Sequence, residues 1–341
     1  QRLLDLCNPE VQQYVIDSMT KVFSSGDIRY VKWDMNRIFS DIYSPYLPAA
    51  KQGETAHRYV LGLYQIMEEL TTRFPKILFE GCSAGGNRFD LGILCYFPQI
   101  WASDNTDALC RTGIQNSYSY GYPLSVFTAH VSSCPNHQTL RITPLETRFQ
   151  VASFGILGYE CNLKDLSGSD LNAIREQIAF YKKWRDVFQF GTFYRGTENE
   201  DSDSETLSWT CVSPDGRRAV GLFFRRLTVP NQSHDWYRPV GLLPDVKYHF
   251  YGRNIKYNLK DFGDLVNTVS PVHIKQGSAL QEILSRFVNM DGEKEDLTAY
   301  GDTLMRAGIA LKPAFAGTGY NSDTRLFPDF SSRIYFMEAV E

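Results

Sequence analysis

The sequence predicts an α/β fold: an incomplete (β/α)8 TIM barrel over residues 1–188, about strands 3 to 8, followed by an antiparallel β-sandwich over residues 189–341. Three observations predict it. Through residue 188, short apolar runs alternate with amphipathic helical runs, the pattern of a parallel sheet covered by helices. Several of those runs end abruptly in carboxylates and amides, and in barrels of this kind chemistry is assembled at the carboxyl ends of strands. After Gln189 the helical periodicity gives way to short strands separated by Gly, Asn and Asp turns.

Leu3–Leu6 reads as a first apolar strand. Asn8 caps the following helix, with Pro9 at its first position and Glu10 in its first turn. Val11, Tyr14, Val15, Met19 and Val22 keep helical spacing. Ile28–Trp33 reads as a short buried strand, and it runs into Asp34. A second amphipathic helix places Tyr59, Val60, Leu63, Ile66, Met67 and Leu70 on one face, and Pro75 ends it. Lys76–Glu80, Ile100–Ser103, Ser125–Ser132 and Gly155–Tyr159 read as further strands. A helical stretch from Thr106 precedes the third of these. Thr143-Pro144-Leu145-Glu146 has the form of a capping box. A long helix runs from about Asp170 to Phe188. The strands ending near Leu6, Asp34, Glu80, Asp104, Ser132 and Glu160 make six, whereas a closed barrel needs eight. With Gln1 as the opening residue, this predicts a piece of a longer chain, poorly soluble by itself because an open barrel exposes strand edges. Beyond the barrel, Glu198–Glu205 reads as a solvated acidic loop. Leu207–Val212 and Ala219–Leu227 form a hairpin about Pro214-Asp215-Gly216, and Thr298–Ala307 is a helical patch.

Charged residues are 22% and hydrophobic residues 43% of the chain, as in a water-soluble globular protein. A net charge of −4 supplies no electrostatic attraction to nucleic acid or an anionic membrane surface. No apolar run reaches the length of a membrane span. The seven cysteines are odd in number and scattered, which fits reduced thiols and a cytoplasmic location rather than a disulfide framework or a zinc site.

Asp34 and Asp104 end two strands separated by one other. Two carboxylates at one barrel mouth suit glycoside hydrolysis, one as nucleophile and the other as general acid and then base. Lys32 beside Asp34 would keep that carboxylate ionised. An apolar wall including Trp101 would hold a proton on Asp104. The competing reading is that such aspartates only cap helices or brace loops. His137 has no second ligand at metal spacing and reads as a structural histidine. Cys82 reads as a lining thiol rather than a nucleophile. Glu80 and Asp107 read as residues that orient the site from behind, and Glu160 as a carboxylate opening a helix.

Several stretches decide between these readings. Lys32-Trp33-Asp34-Met35-Asn36-Arg37, the run from Phe79 through Gly81-Cys82-Ser83-Ala84-Gly85-Gly86-Asn87 to Asp90, and Pro98 to Asp107 resemble glycoside hydrolase family 36, the α-galactosidases and their relatives. His130-Val131-Ser132, Pro135 to Thr139 and Thr143 to Arg148 continue the likeness in the same order. The resemblance implies a retaining exo-glycosidase that needs no cofactor and no metal. It puts Asp34 at the nucleophile position and Asp104 at the acid/base position. It implies that Lys32 and Asn36 hold sugar hydroxyls, that Cys82, Ala84 and Gly85 line the ring near its second carbon, and that Trp101 walls the pocket. Arg88 and Asp90 are expected to pair with each other. The substrate implied is an oligosaccharide with a terminal α-galactose, such as raffinose or melibiose, and the full-length protein is expected to form a homo-oligomer, a tetramer. Ala84 and Asn87 depart from the longer glycine run of many α-galactosidases, which leaves α-N-acetylgalactosaminidase as an alternative. Transfer to a sugar acceptor, or a fragment without turnover, are the others.

Overall fold

The computed structural model describes residues 3–37, 42–196, 205–228, 235–268, 270–313 and 325–340. The chain divides into two compact units, Gln1–Asp104 with Val126–Thr128, and Asn105–Ser125 with Ala129–Glu341.

In the first unit, α1 (Pro9–Phe23) begins as expected: the Asn8 side chain accepts from Glu10 N, and Pro9 supplies the first helical residue. β1 (Tyr30–Asp34), α2 (Thr55–Arg73), β2 (Leu78–Cys82), the short α3 (Leu91–Leu94) and β3 (Gln99–Trp101) follow. Helix periodicity turns Ile16 and Phe23 of α1 and Tyr59, Leu63, Ile66, Met67 and Leu70 of α2 onto Phe79, Phe97 and Ile100, which make one apolar core. β4 (Phe127–Ser132) begins in this unit.

The parallel strands lie in the order β1-β2-β3-β4-β5, with β5 at Ile156–Glu160. The pairings β1 with β2, β2 with β3 and β3 with β4 are all parallel. Among the described residues the sheet thus holds five strands and not six, because Leu3–Leu6 forms no strand. That segment instead leads into the α1 cap, and Leu6 O accepts the Gln12 amide. β1 is also less buried than its sequence implies. Val31 and Trp33 pack on the core, while Tyr30, Lys32 and Asp34 alternate with them on an open face.

The second unit contains α4 (Ala108–Tyr118), α5 (Leu145–Ala152), α6 (Gly168–Phe190) and a six-stranded antiparallel sheet. That sheet is built from β6 (Thr192–Arg195), β7 (Thr206–Val212), β8 (Arg218–Arg225), β10 (Lys247–Gly252), β13 (Asp296–Tyr300) and β15 (Ser331–Ala339). Its order is β13-β10-β15-β8-β7-β6. Two small antiparallel pairs complete it. The first joins β9 (Trp236–Tyr237) to β14 (Ile309–Ala310), and the second joins β11 (Lys256–Asn258) to β12 (Asn289–Asp291). Tyr237 and Ile309 cover one sheet face together with Leu242, Leu304, Leu311 and Phe327. Trp184 of α6 stacks on Phe336 of β15, and Phe180 of the same helix meets that ring edge-on. α7 (Ala279–Phe287) and α8 (Gly301–Arg306) finish the helices described. The β7–β8 hairpin turns where expected, with Gly216 at φ +71° and its N–H bonded to Ser213 O.

Two local expectations need correction. α5 begins after Pro144 without a side-chain cap, so Thr143 lies one residue outside capping position. Glu146 accepts from Gln150, Gln177 and Arg253 instead. A capping box does form, at Ser167 and Asp170 of α6. The patch Thr298–Ala307 is strand through Tyr300 and helical only from Gly301, because β13 pairs with β10 along that stretch. Of the acidic run Glu198–Glu205, residues 198–204 lie outside the described residues, and Glu205 accepts from Leu227 N.

Candidate active site

The first unit brings the eight sequence-predicted residues into one continuous set of contacts. The β1–β2 register sets Lys32 opposite Glu80 and Asp34 opposite Cys82. Just beyond β1, Asn36 Nδ2 donates to Asp34 Oδ2 at 2.8 Å, and Asn36 Oδ1 accepts from Ala84 N at 2.7 Å. One amide therefore ties the first carboxylate to the loop after β2. That loop is held further by Ser83 Oγ donating to Met35 O at 2.6 Å and by Asn87 Nδ2 donating to Ser83 O at 2.8 Å.

Ala84 and Gly85 take left-handed conformations, φ +45° and +80°. A side chain at Gly85 would stand 2.9 Å from Ser103 Cα and 3.3 Å from Asp104 N. Only a glycine lets this backbone rest against the segment that carries the second carboxylate. Asp104 Oδ1 accepts from Trp101 Nε1 at 2.8 Å, and Lys32 Nζ lies 4.3 Å from the centre of the Trp101 ring. Each aspartate is exposed and has one oxygen anchored by a fixed donor.

Burial pushes the Cys82 thiol up to about 11, and a hydrogen bond to the Asp34 carboxylate adds to the rise. The thiol stays protonated near neutrality and serves as a donor, not a nucleophile. Burial also lowers the Arg88 guanidinium from its ordinary value, with the Asp34 charge acting in the opposite direction. Arg88 Nη2 donates to Cys82 O at 2.7 Å, which props the loop from beneath.

Several expected pairings are replaced by others. Lys32 forms its ion pair with Glu80, at 3.6 Å, and not with Asp34, because neighbouring strands bring the β2 residue opposite it. Arg88 does not pair with Asp90; the Asp90 carboxylate caps α3 through Ile93 N. Trp101 is less an apolar wall for Asp104 than a hydrogen-bond donor to it.

In the second unit Asp107 caps α4 through Leu109 N and Cys110 N and binds Arg141, so it is a brace. Glu160 faces His130 Nδ1 at 3.1 Å and opens no helix. His137 is exposed, whereas its neighbour Asn136 is buried and bonded to Thr106 and to the amides of Gln138 and Thr139.

Sequence reasoning missed Tyr30, Gln99 and Thr128, which all bond to Glu80. Polar residues inside otherwise apolar strands were their only signal.

Comparison with known proteins addresses the family. The melibiase family model matches residues 1–191, and the glycosyl hydrolase family 36 C-terminal domain matches residues 206–337. Alpha-galactosidase 1 of Pediococcus pentosaceus is 47% identical over 248 residues, which are 73% of this chain and 34% of that protein. Alpha-galactosidase AgaA of Geobacillus stearothermophilus is 45% identical over 255 residues, 75% of this chain and 35% of its own. The chain thus spans about a third of the length of these curated relatives. Among solved structures, the alpha-galactosidase from Lactobacillus brevis matches with a TM-score of 0.81 at 36% identity, over 99% of this chain and 39% of that one. A doubly substituted AgaA variant from Geobacillus stearothermophilus solved with raffinose matches with a TM-score of 0.78 at 37% identity, over 99% of this chain and 39% of that one. With a family model over more than half its residues, and the parallel sheet and antiparallel sheets those structures share, the chain belongs to the melibiases of glycoside hydrolase family 36.

Proposed function

We propose that the protein carrying this chain is a retaining exo-α-galactosidase that releases terminal α-galactose from oligosaccharides. The observation that carries the reading is the contact set linking Asp34, through Asn36 and the Ala84–Gly85 backbone, to the segment of Asp104. Asp34 attacks the anomeric carbon while Asp104 protonates the departing oxygen. The galactosyl–Asp34 ester is then hydrolysed by a water that Asp104 deprotonates. Lys32 and Asn36 bind sugar hydroxyls, Cys82, Ala84 and Gly85 line the ring near its second carbon, and Trp101 walls the pocket while donating to Asp104. The names of the relatives support galactose, and the raffinose and stachyose complexes of AgaA support oligosaccharides of that type as substrates. Relative rates on 4-nitrophenyl α-galactoside and its 2-acetamido counterpart separate this reading from α-N-acetylgalactosaminidase.

The same reading takes residues 1–188 as the catalytic barrel portion and 189–341 as the C-terminal β-domain. It places a tetrameric enzyme in the cytoplasm. No helix among the described residues is long and apolar enough to cross a membrane.

The test uses Asp34→Ala in the intact protein, with α-galactosyl fluoride and azide. The expected result is loss of hydrolysis with rescue as β-galactosyl azide, because azide enters from the face the carboxylate vacates. Wild-type-like hydrolysis by the variant would remove Asp34 from the nucleophile role.

A further inference from the structure

The Glu80 carboxylate is fully buried, at 0% exposure, directly behind the candidate site. A carboxylate in that position must be matched by donors or it destabilises the fold. Tyr30 Oη and Gln99 Nε2, the latter at 2.6 Å, donate to Oε2. Oε1 faces Thr128 Oγ1 at 3.1 Å and Lys32 Nζ at 3.6 Å. Thr128 also stands 3.0 Å from Ile100 O and has one proton to divide between the two acceptors. Burial and the Glu80 charge raise the Tyr30 phenol well above its ordinary value, so it remains a donor.

These partners come from β1, β3 and β4, the strands on either side of β2 and one beyond. Glu80 is therefore bolted in place from several directions, while Lys32 is not. The lysine side chain is 35% exposed on an open strand face, and its flexible stem has several rotamers to lose. Its ammonium has two described anchors, the Trp101 ring and Glu80 Oε1.

We infer that Glu80 is a positioning residue that fixes the Lys32 ammonium in the orientation in which it meets the sugar. This inference rests on the function proposed above and adds a residue to it. The fixed anion pre-orders the lysine before substrate arrives, so that less ordering entropy is lost on binding. Removing the anion should weaken binding of ground state and transition state alike, which raises KM more than it lowers kcat.

The experiment is a double-mutant cycle on the intact protein with 4-nitrophenyl α-galactoside. Glu80→Gln alone is expected to raise KM about tenfold and to change kcat less than about threefold. In a Lys32→Met background the same substitution is expected to change KM less than about twofold, because the group it acts through is gone. If Glu80→Gln does not fold, Thr128→Val replaces it, with a KM rise of roughly threefold expected beside Lys32 and none beside Met. Equal KM effects in the two backgrounds, with either variant, overturn the inference and leave the glycosidase reading standing. A wild-type protein that neither hydrolyses the galactoside nor binds galactose in calorimetry overturns both.

Discussion

Asp34 and Asp104 differ in their anchors. Asn36, whose amide is itself held by the Ala84 N–H, fixes Asp34, whereas the indole of buried Trp101 fixes Asp104. If Asp104 is the proton donor, its removal should hurt most where the leaving group needs a proton. Asp104→Ala is expected to lower kcat/KM on raffinose by about 10²–10⁴-fold and to affect α-galactosyl fluoride much less, as fluoride departs without protonation. Steady-state kinetics on the two substrates check this. Equal losses on both would assign Asp104 to another role. Burial and the neighbouring Asp34 carboxylate push the Cys82 thiol up to about 11, which favours a lining thiol over a nucleophile.

Secondary-structure elements were legible where the backbone itself imposed the signal. Asn8-Pro9-Glu10 opens α1 because a short acceptor, a residue without an N–H and an acidic first turn each satisfy or complement the free amides there. At α5 the capping pattern misled by one position: Pro144 lies extended at φ −53°, ψ 142° as the cap itself, and Glu146 is drawn to Gln177 and Arg253 by tertiary packing. Ser167 and Asp170 meet the geometric requirement in full at α6. Ser167→Ala is accordingly expected to cost about 1 kcal/mol, which thermal unfolding followed by circular dichroism would detect as a lower Tm. The corresponding Thr143→Val change should leave the α5 cap unaltered.

Over the whole chain, the second unit buries charge that composition alone gave no means to place. Asp235 lies between Arg225 and Arg325, both fully buried, and Glu293 takes Arg333 and the Tyr257 hydroxyl. Truncating the shared anion leaves two buried guanidinium groups without their common carboxylate. Asp235→Ala should therefore lower stability by about 3–5 kcal/mol. Urea unfolding followed by tryptophan fluorescence measures it, and a loss below about 1 kcal/mol would mean that solvent reaches the pair. At this scale too, the chain spans about a third of the length of the curated relatives it matches.

The amino-acid order alone determined the alternation of strands and helices, the change to antiparallel strands beyond residue 189, and the family motifs around Asp34, Cys82 and Asp104. These are local properties: hydrophobic period, turn chemistry and short contiguous motifs are carried by residues adjacent in the chain. Tertiary structure decided who pairs with whom. Lys32 meets Glu80 and not Asp34, Trp101 donates to Asp104, and Tyr30, Gln99 and Thr128 converge on one buried carboxylate. Such pairings depend on strand register, which brings together residues up to 50 positions apart. No local pattern in the chain encodes that register.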